Sequence, residues 1–77
     1  MDCFYITIEC KIEDRQTYGI AAVDCTEREK CILESLIDVA DGREIAERFA
    51  EQCNREKIPL EQFRDTIAEY ISREEKE

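Results

Sequence analysis

Histidine and tryptophan are absent from this sequence, glycine occurs twice, and proline and methionine occur once each. Each shortage removes a class of chemistry. Without histidine there is no side chain poised near neutral pH to act as a general base, and no imidazole to complete a zinc set. Two glycines cannot build a glycine-rich phosphate loop, and no Gly-x-Ser-x-Gly elbow occurs. A cysteine nucleophile would need activation by Lys or Arg instead of His. Carboxylates are plentiful, yet a catalytic pair needs a pocket that drives two pKa values apart, and a small domain rarely holds one. The expectation is a protein with no catalytic residue, no cofactor and no bound metal.

Long hydrophobic runs are missing too. None approaches the roughly 18 residues of a membrane span, and no signal-peptide pattern opens the chain. Positive charge is scarce, with 11 basic residues against 20 acidic ones and a formal charge of −9. Nucleic-acid binding relies on Lys and Arg to neutralise phosphates, so direct binding of DNA or RNA is not expected. Anionic membranes are disfavoured for the same reason. These readings point to a cytoplasmic protein whose partner is another protein with a basic surface, because opposite potentials steer association. The plainer alternative is that the charge only maintains solubility.

What is present suits one small domain. Hydrophobic residues make up 43% of the 77 and charged residues 40%, a globular mixture and not a disordered one. A chain of this length buries only about 60% of its unfolded surface, which predicts modest stability or help from self-association. Five cysteines stand at Cys3, Cys10, Cys25, Cys31 and Cys53, an odd number without a Cys-x-x-Cys spacing. Cys10, Cys31 and Cys53 fall on positions expected to face inward, where reduced thiols act as small hydrophobes. A contrasting reading is a thiol-based redox or metal-binding protein using Cys10, Cys25, Cys31 and Cys53.

The most readable stretch is Asp41–Cys53. Asp41 followed by Glu44 has the spacing of a capping box, and Ile45, Ala46, Phe49, Ala50 and Cys53 line one apolar stripe. This predicts a helix over about 42–56. Pro59 then biases Ile58 away from helical backbone, and Leu60, Phe63, Ile67 and Tyr70 or Ile71 predict a second helix over about 60–73. The short connection makes the pair an antiparallel hairpin. Upstream, Phe4, Ile6, Ile8, Cys10 and Ile12 alternate with Tyr5, Thr7, Glu9 and Lys11, which predicts a strand over about 3–12. A polar break at 13–16 leads to a second strand over about 17–25, with Gly19 compatible with a bulge or a close backbone approach.

Residues 30–39 fit either period. As a helix, Ile32, Leu33, Leu36, Ile37 and Ala40 share a face, with Thr26 and Glu29 as its capping box. As a strand, Cys31, Leu33, Ser35, Ile37 and Val39 face the core. Periodicity favours the helix. Architecture favours the strand, since an isolated hairpin is marginal and a third strand completes a hydrophobic face. The combination of Thr17–Ile20, Ile37–Glu44, Glu51–Asn54 and the amphipathic Leu60–Ile71 stretch resembles a domain-of-unknown-function family of small cytosolic proteins from clostridia-type Gram-positive bacteria. That resemblance implies a strand before the first helix, and no activity. The resulting expectation is an α+β domain spanning 1–77, a three-stranded antiparallel sheet (β-β-β) followed by an α-helical hairpin on one face.

Two surfaces are candidates for partner binding. Glu47 and Glu51 stack at i, i+4 on the first helix, as do Glu61, Asp65 and Glu69 on the second, about 6 Å apart. Such rows suggest an inhibitor that mimics nucleic acid in the basic groove of a nuclease, of anti-CRISPR or anti-restriction type. Against this, Glu44–Arg48, Glu51–Arg55 and Glu69–Arg73 read as ordinary helix-surface ion pairs. The other surface is the sheet face away from the helices, expected to carry Tyr5, Thr7, Ala21, Val23, Ile32 and Leu36 and to form a homodimer.

Overall fold

The computed structural model describes residues 3–24 and 31–75, and its element order is β1 (Cys3–Ile12), β2 (Arg15–Asp24), β3 (Cys31–Ala40), α1 (Arg43–Glu56), a single 3₁₀ turn (Leu60–Gln62) and α2 (Phe63–Glu75). The three strands form an antiparallel meander in the order β1-β2-β3, and both helices pack on one face. Cys25, the Thr26/Glu29 capping pair and the start of the third strand at residue 30 lie outside the described residues. The segment from Cys31 to Ala40 is a strand. Among the described residues, no helix is long and apolar enough to cross a membrane.

The first connection is tighter than the polar break suggested. Only Glu13 and Asp14 form it, both at positive φ (49° and 66°), as a type I′ turn requires. Two acidic residues occupy positions that usually take Asn-Gly, which is why composition did not identify the turn. Register then follows from the turn: Tyr5 lies opposite Ala22, Thr7 opposite Ile20 and Glu9 opposite Tyr18. Directly opposite residues share a face.

Pairing of β2 with β3 is less regular. The register shifts between Ala22 and Val23, and again between Tyr18 and Ile20, where Asp38 turns to φ 53°. The second irregularity brings β3 backbone against Gly19, so that a Cβ built there would stand 2.2 Å from the Leu36 carbonyl oxygen. Only glycine fits. Bulges of this kind increase local twist and shift the face on which later side chains fall.

Helix α1 begins one residue later than its sequence signature implied. Gly42 is the N-cap, with extended backbone and no side-chain hydrogen bond, and its carbonyl accepts from the Ala46 N–H at 3.3 Å. The Asp41 carboxylate lies 3.5 Å from Arg15 instead of capping the helix. At the other end Lys57 adopts left-handed backbone (φ 51°). Its N–H donates to the Asn54 carbonyl and the Ile58 N–H donates to that of Cys53, a Schellman arrangement. Ile58 is thereby turned onto the core, and Pro59 starts the short path into α2.

Candidate functional site: the two faces of the sheet

The helices cover the face of β1 that carries Tyr5. Tyr5, Ile20 and Ala22 from the sheet form one core with Phe49, Ala50 and Cys53 of α1 and Phe63, Ile67 and Tyr70 of α2. Tyr5 is 2% exposed, and its ring lies 4.8 Å from that of Phe63. Its hydroxyl donates to the Ile58 carbonyl at 2.5 Å, at the end of α1. The Tyr5 backbone is held as well: its N–H donates to Asn54 Oδ1 at 2.7 Å, while Asn54 Nδ2 donates to its carbonyl at 2.9 Å. The Asn54 amide thus occupies the place of a fourth strand's peptide at this point of the β1 edge. Leu36 packs on the same core.

This places Tyr5, Thr7 and Leu36 opposite to expectation. All three lie on the helix-facing side and not on the exposed sheet face. The reason for Tyr5 is that a buried hydroxyl needs an acceptor, and it finds one at the Ile58 carbonyl in the turn after α1. For Leu36 the reason is the β3 irregularity, which brings Glu34 and Leu36 to the helix side with Leu33 and turns Ile37, expected in the core, to the other side with Ile32. The Glu34 carboxylate meets Arg64 of α2 at 3.0 Å, and Leu33 lines a groove with Leu60.

The uncovered face carries the most apolar row in the molecule. Phe4, Ile6, Ile8, Cys10 and Ile12 project from β1, and small residues of β2 (Thr17, Gly19, Ala21 and Val23) form the floor beside them. Ile32 and Ile37 stand at the β3 side, 65% and 64% exposed, and Ile6 is 37% exposed. Val23 is on this face as expected, but its larger neighbours reduce its own exposure to 3%. No described element packs over this row. At its margin lies Arg15, whose guanidinium is 3.4 Å from Asp38 and 3.5 Å from Asp41. Thr17 is buried on the same side, and its Oγ1 has no hydrogen-bond partner among the described residues.

The acidic rows are largely answered by arginine within the same molecule. Glu47 pairs with Arg43 at 2.9 Å, Glu51 with Arg55 at 3.4 Å and Glu69 with Arg73 at 2.6 Å. Arg48 reaches across to Glu74 of α2 at 2.9 Å instead of pairing with Glu44. Glu61 and Asp65 are exposed and make no ion pair among the described residues. Exposed pairs of this kind contribute about 0–1 kcal/mol each, so their main effect is to interrupt the negative rows.

The four described cysteines do not converge. Cys10 lies opposite Thr17 near one end of the sheet, whereas Cys3 and Cys31 both align with Asp24 at the other, and Cys53 is buried under the helices. Contrary to expectation Cys31 is exposed and Cys10 only half-buried. Among the described residues, no three or more potential ligands are grouped to hold a metal. Burial pushes the Cys53 thiol up from 9.0 to about 11, with the Glu56 carboxylate adding to it, so this thiol stays protonated at neutral pH. The Tyr70 hydroxyl is raised by burial and by donating to Glu56 at 3.0 Å; Tyr5 is raised by burial, then by Cys3.

A groove of about 520 Å³ runs between β3 and the helix connection, lined by Cys3, Leu33, Pro59, Leu60 and Glu61 with the Glu34–Arg64 pair. The Cys3 thiol in its lining donates to the Tyr5 hydroxyl at 3.8 Å, while the Glu34 carboxylate is held by Arg64. Comparison with known protein families, with curated proteins and with solved structures finds no match.

Proposed function

We propose that this chain is a small non-catalytic module that works by contact with another protein. The observation that carries the reading is the apolar row of Ile6, Ile8, Cys10 and Ile12, with Ile32 and Ile37 beside it, over which no described element packs. Alternating strands place their apolar side toward a covering layer, and contiguous apolar area of this sort on a small protein marks a contact surface. The chain's own chemistry supports the non-catalytic part. It has no histidine, and burial makes the Cys53 thiol and the Tyr5 and Tyr70 hydroxyls weaker acids instead of activating them.

A second reading, the nucleic-acid mimic in a nuclease groove, is favoured by the exposed carboxylates of Glu61 and Asp65, which make no ion pair among the described residues. It is weakened at Glu47, Glu51 and Glu69, each beside an arginine. Capture of partners by the tagged protein from a lysate of its host separates the two readings. Binding that resists salt and is lost in the Ile32→Glu/Ile37→Glu variant supports contact through the sheet face. Binding that survives that variant, washes off at moderate salt and is lost when Glu61, Asp65 and Glu69 are reversed to lysine replaces it with the mimic.

A further inference from the structure

We infer that the layer covering the open sheet face is a second copy of this chain, packed face to face about a two-fold axis to give helices, sheet, sheet, helices. This rests on the reading of that face as a protein contact and names its occupant.

Three observations favour a second copy over an unlike partner. The first is area. The chain exposes 5716 Å², whereas a folded monomer of its 9.1 kDa is expected to expose roughly 4,900 Å². The excess, roughly 800 Å², matches one partner's share of a standard interface. Shape agrees: the molecule is a slab 18 Å deep against 37 and 27 Å in its other directions. Stacking two copies through their sheets doubles the short direction and nothing else.

The second is charge. Two chains of −9 repel each other, so self-association demands a geometry that holds their carboxylates apart. Face-to-face stacking does so. With layers about 10 Å apart, the two helical layers stand roughly 30 Å from each other, several times the Debye length of about 8 Å at physiological salt. Among the described residues the open face has no charged side chain within it, its marginal Arg15 is already paired with Asp38 and Asp41, and none of them selects a charged partner. An isologous contact needs only that the patch be complementary to itself, as rows of isoleucine over a floor of small residues can be.

The third is the state of the edges. Asn54 occupies the β1 edge at Tyr5, and β3 is irregular at Ala22/Val23 and around Asp38. Both edges are poor templates for adding a strand, which leaves the face as the route to association.

Sedimentation of the purified protein over a wide concentration range tests this, with Ile32→Glu/Ile37→Glu as the variant. Both isoleucines are mostly exposed, so a single chain tolerates the change. The expected result is a wild-type dimer of twice 9.1 kDa, with the variant's dissociation constant raised about a hundredfold or more and its far-UV circular dichroism unchanged. Alkylation gives a second readout. In the dimer Cys10 is protected relative to exposed Cys31, and dilution removes the protection. A wild-type monomer at every concentration overturns the second copy, while the capture experiment still decides whether the face binds another protein. A dimer that survives the double substitution, or one in which Cys10 is no better protected than in the monomeric variant, overturns it as well, because the contact then lies elsewhere.

Discussion

The two faces of β1 differ in a way that runs against the usual rule for a half-buried strand. Helices cover the side bearing Tyr5, Thr7 and Glu9, while the side bearing Phe4, Ile6, Ile8 and Ile12 has no described element over it. Hydrophobicity alone would choose the second side. The first is chosen because Tyr5 has partners there at three points, its ring on Phe63, its hydroxyl on Ile58 and its backbone on Asn54. Directional contacts select which side closes within the chain, and the less specific apolar side has no described element over it.

Substitutions on the two sides should therefore differ in kind. The largest effect expected is from Phe63→Ala, which empties the centre of the covered side and should cost about 3–5 kcal/mol in urea unfolding. Next is Gly19→Ala, where the new methyl group meets the Leu36 carbonyl. About 1–3 kcal/mol should be lost, and a result near zero would mean that β3 is free to move away. Asn54→Ala should cost about 1–2 kcal/mol by removing both bonds to the Tyr5 backbone, although that edge can then be solvated. The smallest change is a gain. Lys57→Gly relieves left-handed backbone at the end of α1 and should stabilise by about 0.5–1 kcal/mol.

Alkali probes the covered side alone. The Cys53 thiol titrates near 9.0 when unfolded and at about 11 when folded, and Tyr5 and Tyr70 are shifted upward likewise. For an acid whose folded pKa is raised, the stabilising contribution is full below the unfolded value and is lost as pH climbs to the folded one. Stability measured by urea unfolding should therefore fall between about pH 9 and pH 11. Cys53→Ala should remove part of that slope, and an unchanged slope would show that the thiol is not the group responsible.

Much of this architecture was legible in the residues. Alternation from Phe4 to Ile12 located β1, and the Ile45, Ala46, Phe49, Ala50 and Cys53 stripe located α1. For 31–40, helical periodicity competed with the strand, and the need for a third strand argued correctly for the sheet. Which face of the sheet the helices take was not legible. Alternation shows that two faces differ; it cannot show that a tyrosine hydroxyl will find a carbonyl 53 residues away. Nor does period two survive the irregular pairing of β3, where Leu33, Glu34 and Leu36 turn toward the helices and Ile37 turns from them. The acidic rows were visible as spacing, and so were the Glu51–Arg55 and Glu69–Arg73 pairs that interrupt them; Arg43 beside Glu47, and Arg48 reaching Glu74 instead of Glu44, became apparent only with side chains in place.

The bonds that Tyr5 makes to Asn54 and Ile58 span 49 and 53 residues. The β1–β2 hairpin can form early, through a two-residue turn and local pairing, but its helix-facing side has nothing to close on until α1 is complete. At a synthesis rate of about 5–20 residues per second, roughly 50 residues take some 3–10 seconds to follow Tyr5 out of the ribosome. Throughout that interval a paired hairpin shows apolar side chains on both of its faces. For this chain the hazardous species is the nascent one, and a chaperone that shields a strand pair for a few seconds would protect it better than further stability in the finished fold.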